Sequence, residues 1–300
     1  MASVFCIGVA VQDFIYFVDE MPRTAKKYNA LDFMTVGGGC AATAAVAVAR
    51  LGGDVRLAAR LGDDLLADLI VSELEGEGVD CAHMRRIAGR RSPLSSIFVD
   101  AAGERLIMGF RDKTMPTGND RLPDPLPRDV DVVLADTHWV QGGVDLMRRA
   151  EAARKPRILD GEPPFDGCQE LIALSTHIIF SVRGLQDLSG VRDFAEGMKR
   201  IGAMTGAWLA VTDGANGTYY LDGGQLSHVA APQVEVVDTL GAGDTWHGAF
   251  ALALAEGRPE VEAIAFANVA ASLKCTRRGG RAGVPDRAAV DAYLMQHASS

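Results

Sequence analysis

The chain has 300 residues and is 48% hydrophobic, with a mean hydropathy of +0.09, enough to bury a sizeable α/β core. Its net charge of −9 and pI near 5.2 argue against nucleic acid, whose phosphates need basic neutralisation. Five scattered cysteines without a C-x-x-C indicate neither a disulfide frame nor a zinc site. No apolar run approaches a membrane span, and with no signal peptide in view a reducing cytoplasm is expected.

In chain order, Val4 to Val11 is a continuous apolar run that predicts a strand covered on both faces, as in a parallel sheet. Asp13 follows at its C-terminal end, where open α/β sheets bind ligands. Phe14–Val18 and Ala30–Val36 read as short strands. The first is apolar on both faces with no helix after it, so a second layer or a partner chain should cover it. Lys26 and Lys27 lie on the connection, a solvated turn unless an anionic substrate calls one of them in.

Gly37-Gly38-Gly39 leads into an alanine-rich helix ending near Gly52-Gly53. Gly37, Gly39 and Ala42 also satisfy a G-x-G-x-x-A dinucleotide pattern, which keeps an NAD-dependent oxidoreductase open as a rival. That pattern normally follows the first strand, and no acidic residue ends the next one, Val55–Arg60. A helix then runs from Gly62-Asp63-Asp64 to about Glu75. Residues 95–100 and 104–110 predict a hairpin, followed by Arg111, Asp112 and Lys113. Residues 114–130, with four prolines, read as a surface loop.

Strands at 131–136, 157–160 and 177–180 alternate with helices at about 144–154 and near Leu171, which predicts a doubly wound, mostly parallel sheet. Asp136, His138, Asp160 and Ser181 fall together on its carboxyl rim. Trp208–Thr212 is a strand running into T-x-G-x-x-G at Thr212, Gly214 and Gly217. Neither a G-x-x-x-x-G-K-[ST] loop nor protein-kinase elements are present.

Val234, Val236 and Val237 alternate like a strand that feeds the turn Gly241-Ala242-Gly243-Asp244 and a small-residue helix over 248–256. Such a turn gathers N–H groups at a positive helix end and suits an anion. A carboxylate in an anion nest has little structural reason to be there, whereas a base taking a proton from an attacking hydroxyl does. A helix over 262–274 carrying Asn268, a loop with Arg277, Arg278 and Arg281, and a helix over 286–297 complete the chain.

The string Asp238-Thr239-Leu240-Gly241-Ala242-Gly243-Asp244 resembles the second signature of the ribokinase/pfkB carbohydrate kinase family, with Leu240 where Thr is more usual. Gly38 and Gly39 match the first signature, with Thr43 in place of Asn. The resemblance spans residues 1–300 and implies one ribokinase-like domain, with a small β lid from strands within about 14–36 and 94–112. It implies Asp244 as catalytic base and the amides of Gly241, Ala242, Gly243 and Asp244 as anion hole. Asp13, Gly38, Gly39 and Thr43 would hold the sugar, and Lys27, Arg111 and His138 are further candidates. Thr212, Gly214, Gly217, Asn268 and Gly279 would line ATP, with Arg183 or the loop arginines near its phosphates. Mg²⁺ would be required without the usual N-x-x-E motif, which Ser181–Gly184 replaces. Carbonyls near Asp238 and Gly279 would take a monovalent cation such as K⁺.

Gly37–Gly39, Ala41–Ala45, Val133–Asp136, Leu273–Thr276 and Gly279–Gly283 are most similar to the sulfofructose kinase branch. The expected reaction is therefore phosphorylation of the 1-hydroxyl of a fructose-like or 6-deoxy-6-sulfofructose-like ketose. The branch's sulfonate-holding Asn and Arg, however, fall at Gly109 and His138. A homodimer through the lid is expected. A nucleoside kinase of the same fold is the alternative, with Phe14, Tyr16 and Phe33 as a stacking wall.

Overall fold

The computed structural model describes residues 1–118 and 122–297, so part of the 114–130 loop lies outside the described residues. The first apolar run does not form one strand. It divides into β1 (Ser3–Gly8) and β2 (Val11–Phe17), because the chain bends at Gly8, where φ is +155°. β1 enters a large sheet, while β2 leaves it for a smaller one, so Asp13 sits inside a lid strand.

After β3 (Asp32–Gly38) come α1 (Cys40–Arg50), β4 (Asp54–Gly62), α2 (Leu65–Gly76) and the short β5 (Arg85–Ile87). The expected hairpin is β6 (Leu94–Val99) and β7 (Arg105–Phe110). Then follow β8 (Val132–Ala135), α3 (Val140–Ala152), β9 (Arg157–Gly161), α4 (Gln169–Leu174), β10 (His177–Ser181), α5 (Val182–Ser189), α6 (Phe194–Gly202) and β11 (Trp208–Thr212). An antiparallel pair, β12 (Thr218–Asp222) and β13 (Gln225–Val229), precedes α7 (Ala242–Ala255), α8 (Glu260–Cys275) and α9 (Arg287–His297).

The large sheet runs β13-β12-β11-β10-β9-β8-β1-β4-β5 and is parallel apart from β12 and β13. Strand order reverses beside β1, the place where sheets of this kind hold ligands at their carboxyl ends. Alternate residues of β1 feed two cores. Val4 and Cys6 pack with α1, α2, α7 and α8, and Phe5 and Ile7 pack with α3 to α6.

The lid is a four-stranded sheet, β3-β2-β6-β7. Its inner face carries Ile15, Val36 and Ile97, with Phe17, Met34 and Val99, against Leu240. Leu240 replaces the family's usual Thr and is the apolar foot of the lid. The opposite face carries Phe14, Tyr16, Phe33 and Phe98, stacked on one another. The nucleoside-stacking wall expected from Phe14, Tyr16 and Phe33 is thus turned away from the interior by the strand alternation.

Residues 230–240 do not form the strand that Val234, Val236 and Val237 suggested. β13 ends the sheet, and this segment is tied instead to α8, with the N–H groups of Val237 and Asp238 both donating to the Cys275 carbonyl. Val236 and Val237 are about half exposed (56% and 55%), so their alternation reports no sheet face.

Candidate active site

Gly241 caps α7 in the left-handed region at φ +77°, a conformation that favours glycine, and so turns the chain straight into the helix. Leading N–H groups of a helix have no carbonyl one turn back to accept them. That of Ala242 is turned back to the Thr239 carbonyl at 3.2 Å, which takes it out of the expected set of Gly241 to Asp244 amides. Below the turn, the two ring nitrogens of His247 lie 2.8 Å from the Gly243 carbonyl and 3.2 Å from the Ile179 carbonyl of β10, and the neutral ring that burial favours donates to one of them.

Two cavities meet at this turn. Asp244, Gly241 and Leu240 line one, together with Asp13, Gly38, Gly39, Thr43, Ser95 and Arg111. Thr239, Ala242 and Gly243 line the other, together with Thr212, Gly214, Gly217 and an apolar wall that includes Pro232, Val234 and Ala271. The turn therefore presents its carboxylate to one cavity and glycine backbone to the other.

In the first cavity, burial pushes Asp13 up to about 6, offset by the Ser95 hydroxyl and by Arg281. A Cβ on Gly38 would collide with the Asp13 carboxylate, so that glycine leaves the carboxylate its place. Arg281, buried to 2% exposure, donates to the Gly38 carbonyl at 2.7 Å and faces Glu73 at 3.4 Å, while Glu73 accepts the Gly37 N–H. Arg281 was expected near ATP phosphates and lines this first cavity instead. Its Nε has no partner among the described residues. Sequence spacing gave no signal for this role, because α2, β3 and the 280s meet only in the fold.

Arg111 lines the same cavity, and its guanidinium donates to His138 Nδ1 at 2.6 Å. Burial and the neighbouring Arg111 lower the pKa of His138, against the raising pull of Asp136. Asp136 itself is a clamp. It accepts from the N–H groups of Val9, Ala41 and His138, joining β1, α1 and the turn after β8. A carboxylate seated on the α1 N-terminus leaves no room there for a dinucleotide's pyrophosphate. Gly37 and Gly38 lie in lid strand β3, and the G-x-G-x-x-A pattern carries no such function here. Lys27 is exposed and does not line the cavity.

The T-x-G-x-x-G residues Thr212, Gly214 and Gly217 line the second cavity. Asn268 also lines it, but its amide is spent inside the protein. Its oxygen accepts from Thr218 and Trp246, and its nitrogen donates to the Val229 and Ala230 carbonyls. Gly279 lines neither cavity and donates its N–H to Asp238. Arg183 points along its own helix to Asp187 at 3.4 Å and is exposed. The Asp238 carboxylate accepts from the N–H groups of Leu240, Gly279 and Gly280 and pairs with Arg105 and Lys274. Burial alone would raise Asp238, yet those donors hold its pKa below the ordinary value.

Burial first, and then the nearby Asp160, push Asp244 up to about 7. Burial, with Asp136 and Glu162, drives Asp160 well above the usual carboxylate range. Asp244, Asp160 and Cys40 bring one ligand atom each to within 4.8 Å of one another. The two carboxylates are hard oxygen donors that suit Mg²⁺, while the thiol does not. Sequence reasoning placed Asp160 on the rim without giving it a role.

Residues 1–287 match the model of the pfkB family of carbohydrate kinases. The chain is 30% identical to the ribokinase of Bacillus subtilis over 297 residues, covering 98% of this chain and all of that protein. It superposes on an Agrobacterium tumefaciens protein provisionally named a ribokinase with a TM-score of 0.94 and 36% identity, covering 100% and 99% of the two chains. Arabidopsis thaliana ribokinase, solved with ribose and ATP, shares the fold at a TM-score of 0.80 and 24% identity, covering 97% of this chain and 98% of that one. The two facing cavities, the Gly-rich turn between them and this whole-length similarity agree, and the chain belongs to the pfkB family of carbohydrate kinases.

Proposed function

We propose that the enzyme transfers the γ-phosphate of ATP to the 1-hydroxyl of a ketose-type sugar, fructose-like or 6-deoxy-6-sulfofructose-like. The observation that carries this reading is the shared turn, which gives Asp244 to the acceptor cavity and Gly243 to the nucleotide cleft. Asp244 takes the proton of the attacking hydroxyl, and the N–H groups at the start of α7 stabilise the charge on the transferred group. Asp13 accepts hydroxyl hydrogens of the sugar beside the Gly38-Gly39 backbone. Asp160, whose carboxylate lies beside Asp244, would help to hold Mg²⁺, which would supply charge neutralisation there.

Arg111 supports an acidic group at the sugar's far end. Position 138 lacks the guanidinium expected of a sulfonate site, yet Arg111, just after β7, brings one against the His138 ring. Five free cysteines fit a reducing compartment, so we assign the enzyme to the cytoplasm. The apolar outer lid face supports a homodimer through the lid.

The test is ATP-dependent turnover over a panel of fructose, sulfofructose, fructose phosphates, ribose and nucleosides. The highest kcat/KM is expected on a ketose with an acidic distal group, and a preference for ribose or a nucleoside overturns the substrate assignment. Asp244→Asn is expected to lower kcat by roughly 10³-fold while the nucleotide affinity stays nearly intact, and surviving turnover removes Asp244 from its role.

A further inference from the structure

Family resemblance implies a monovalent cation between the Asp238 and Gly279 segments, and the residues present do not fit one. Lys274, in the last turn of α8, is fully buried at 0% exposure. Its ammonium donates to the Asp238 carbonyl at 2.8 Å and stands 3.6 Å from the Asp238 carboxylate. The carboxylate's own oxygens already accept three backbone N–H groups and face Arg105 at 3.4 Å. A second cation at the same carbonyl would meet a fixed positive charge within hydrogen-bond range of its ligand, in a place where water cannot screen the two. Burial draws the pKa of Lys274 down, and Asp238 pulls it back up.

We infer that the Lys274 ammonium occupies the place of the monovalent cation, as a built-in positioning residue for the phosphate turn. The connection is short and covalent. Asp238 lies three residues before Gly241, its carboxylate pins Leu240, Gly279 and Gly280, and the neighbouring Cys275 carbonyl holds the N–H groups of Val237 and Asp238. One side chain from α8 thereby orders both the turn that holds phosphate and the 279–280 bend against which Leu240 rests. Enzymes that recruit K⁺ at such a point are activated by salt composition. This one carries its cation in the sequence and turns over without K⁺.

This inference rests on the reading of the 241–244 turn as the phosphate site, and the experiment keeps the two separable. Wild-type melting temperature and turnover are measured in choline, sodium, potassium, caesium and ammonium chlorides at one ionic strength. The expected result is the same melting temperature in all five and turnover rates within about twofold. Activation of the wild type by about fivefold or more in potassium over choline overturns the inference.

Lys274→Ala, read in choline, is expected to lose roughly tenfold or more in kcat with a smaller change in sugar KM. Potassium or ammonium, but not choline, should restore part of that loss and raise the variant's melting temperature. A Lys274→Ala protein with wild-type turnover in choline and no response to potassium overturns the inference. If Lys274→Ala does not fold, the wild-type series decides alone. Wild-type protein inactive on every sugar refutes the kinase substrate reading, while the melting series still reads the cation.

Discussion

The surroundings of Asp244 suit the role of base proposed for it. Its raised pKa, about 7, follows first from burial and then from Asp160, so the free enzyme carries the ionised form only as pH rises through neutrality. The profile of kcat/KM is expected to climb about tenfold per pH unit below about 7 and to level above it. Asp160→Asn removes the like charge and should move that acid limb to lower pH. An acid limb that keeps its position in Asp160→Asn would mean that Asp160 does not set the pKa of the base.

Gly38 is the second residue where a single atom decides. Its missing Cβ leaves room for the Asp13 carboxylate. Gly38→Ala should raise the sugar KM by roughly tenfold or more, the loss of one charge-assisted hydrogen bond, with the nucleotide KM nearly unchanged. Equal loss for both substrates in steady-state kinetics would show a displaced fold rather than a displaced carboxylate.

Elements whose hydrophobic period was strong were legible from the sequence. The buried strands 131–136 and 177–180 and the helices 262–274 and 286–297 appear with bounds shifted by a few residues. What failed were elements whose period has two readings. Val4–Val11 is apolar throughout, so nothing in it marks the bend at Gly8 where the lid departs. The valines of 234–237 alternate, but their N–H groups go to the end of α8 and not to a strand. The placement of residues at a cavity was legible where a local motif fixes the backbone, as at Gly241, Asp244 and Thr212. Side-chain partners were hidden where they come from distant elements, as for Arg281 and Lys274.

Asn268 belongs to this second group. It lies on α8 facing the nucleotide cleft, yet it ties that helix to β12, to the segment after β13 and to Trp246 of α7. Asn268→Ala strands the Thr218 hydroxyl and the Trp246 N–H in a buried site and should cost about 2–3 kcal/mol in urea unfolding. The nucleotide KM should move far less. A large rise in that KM without loss of stability would return Asn268 to direct nucleotide binding.

At the scale of the molecule, the two sheets divide the labour. The nine-stranded sheet buries both faces under helices and delivers the turn, the T-x-G-x-x-G loop and Asp160 to one rim. The lid has only one face to bury. Its inner side closes on Leu240, and its outer side is left with Phe14, Tyr16, Phe33, Phe98, Leu106 and Met108 by the strand register. Phe33 is 50% exposed and Met108 66%, a contiguous apolar surface of the kind that marks an interface. In the proposed homodimer a second copy would supply the matching surface through a two-fold axis, since each lid would then cover the other. The lid also carries Asp13 and Ser95 into the cavity proposed for the sugar, so the proposed pairing of lids would bear on sugar binding as well as on mass. Light scattering on the purified chain should therefore report a dimer, and Phe33→Glu should report a monomer with a higher sugar KM and an unchanged melting midpoint of the α/β core. A wild-type chain that remains monomeric at working concentrations would leave the outer lid face to another role and remove the dimer from this account.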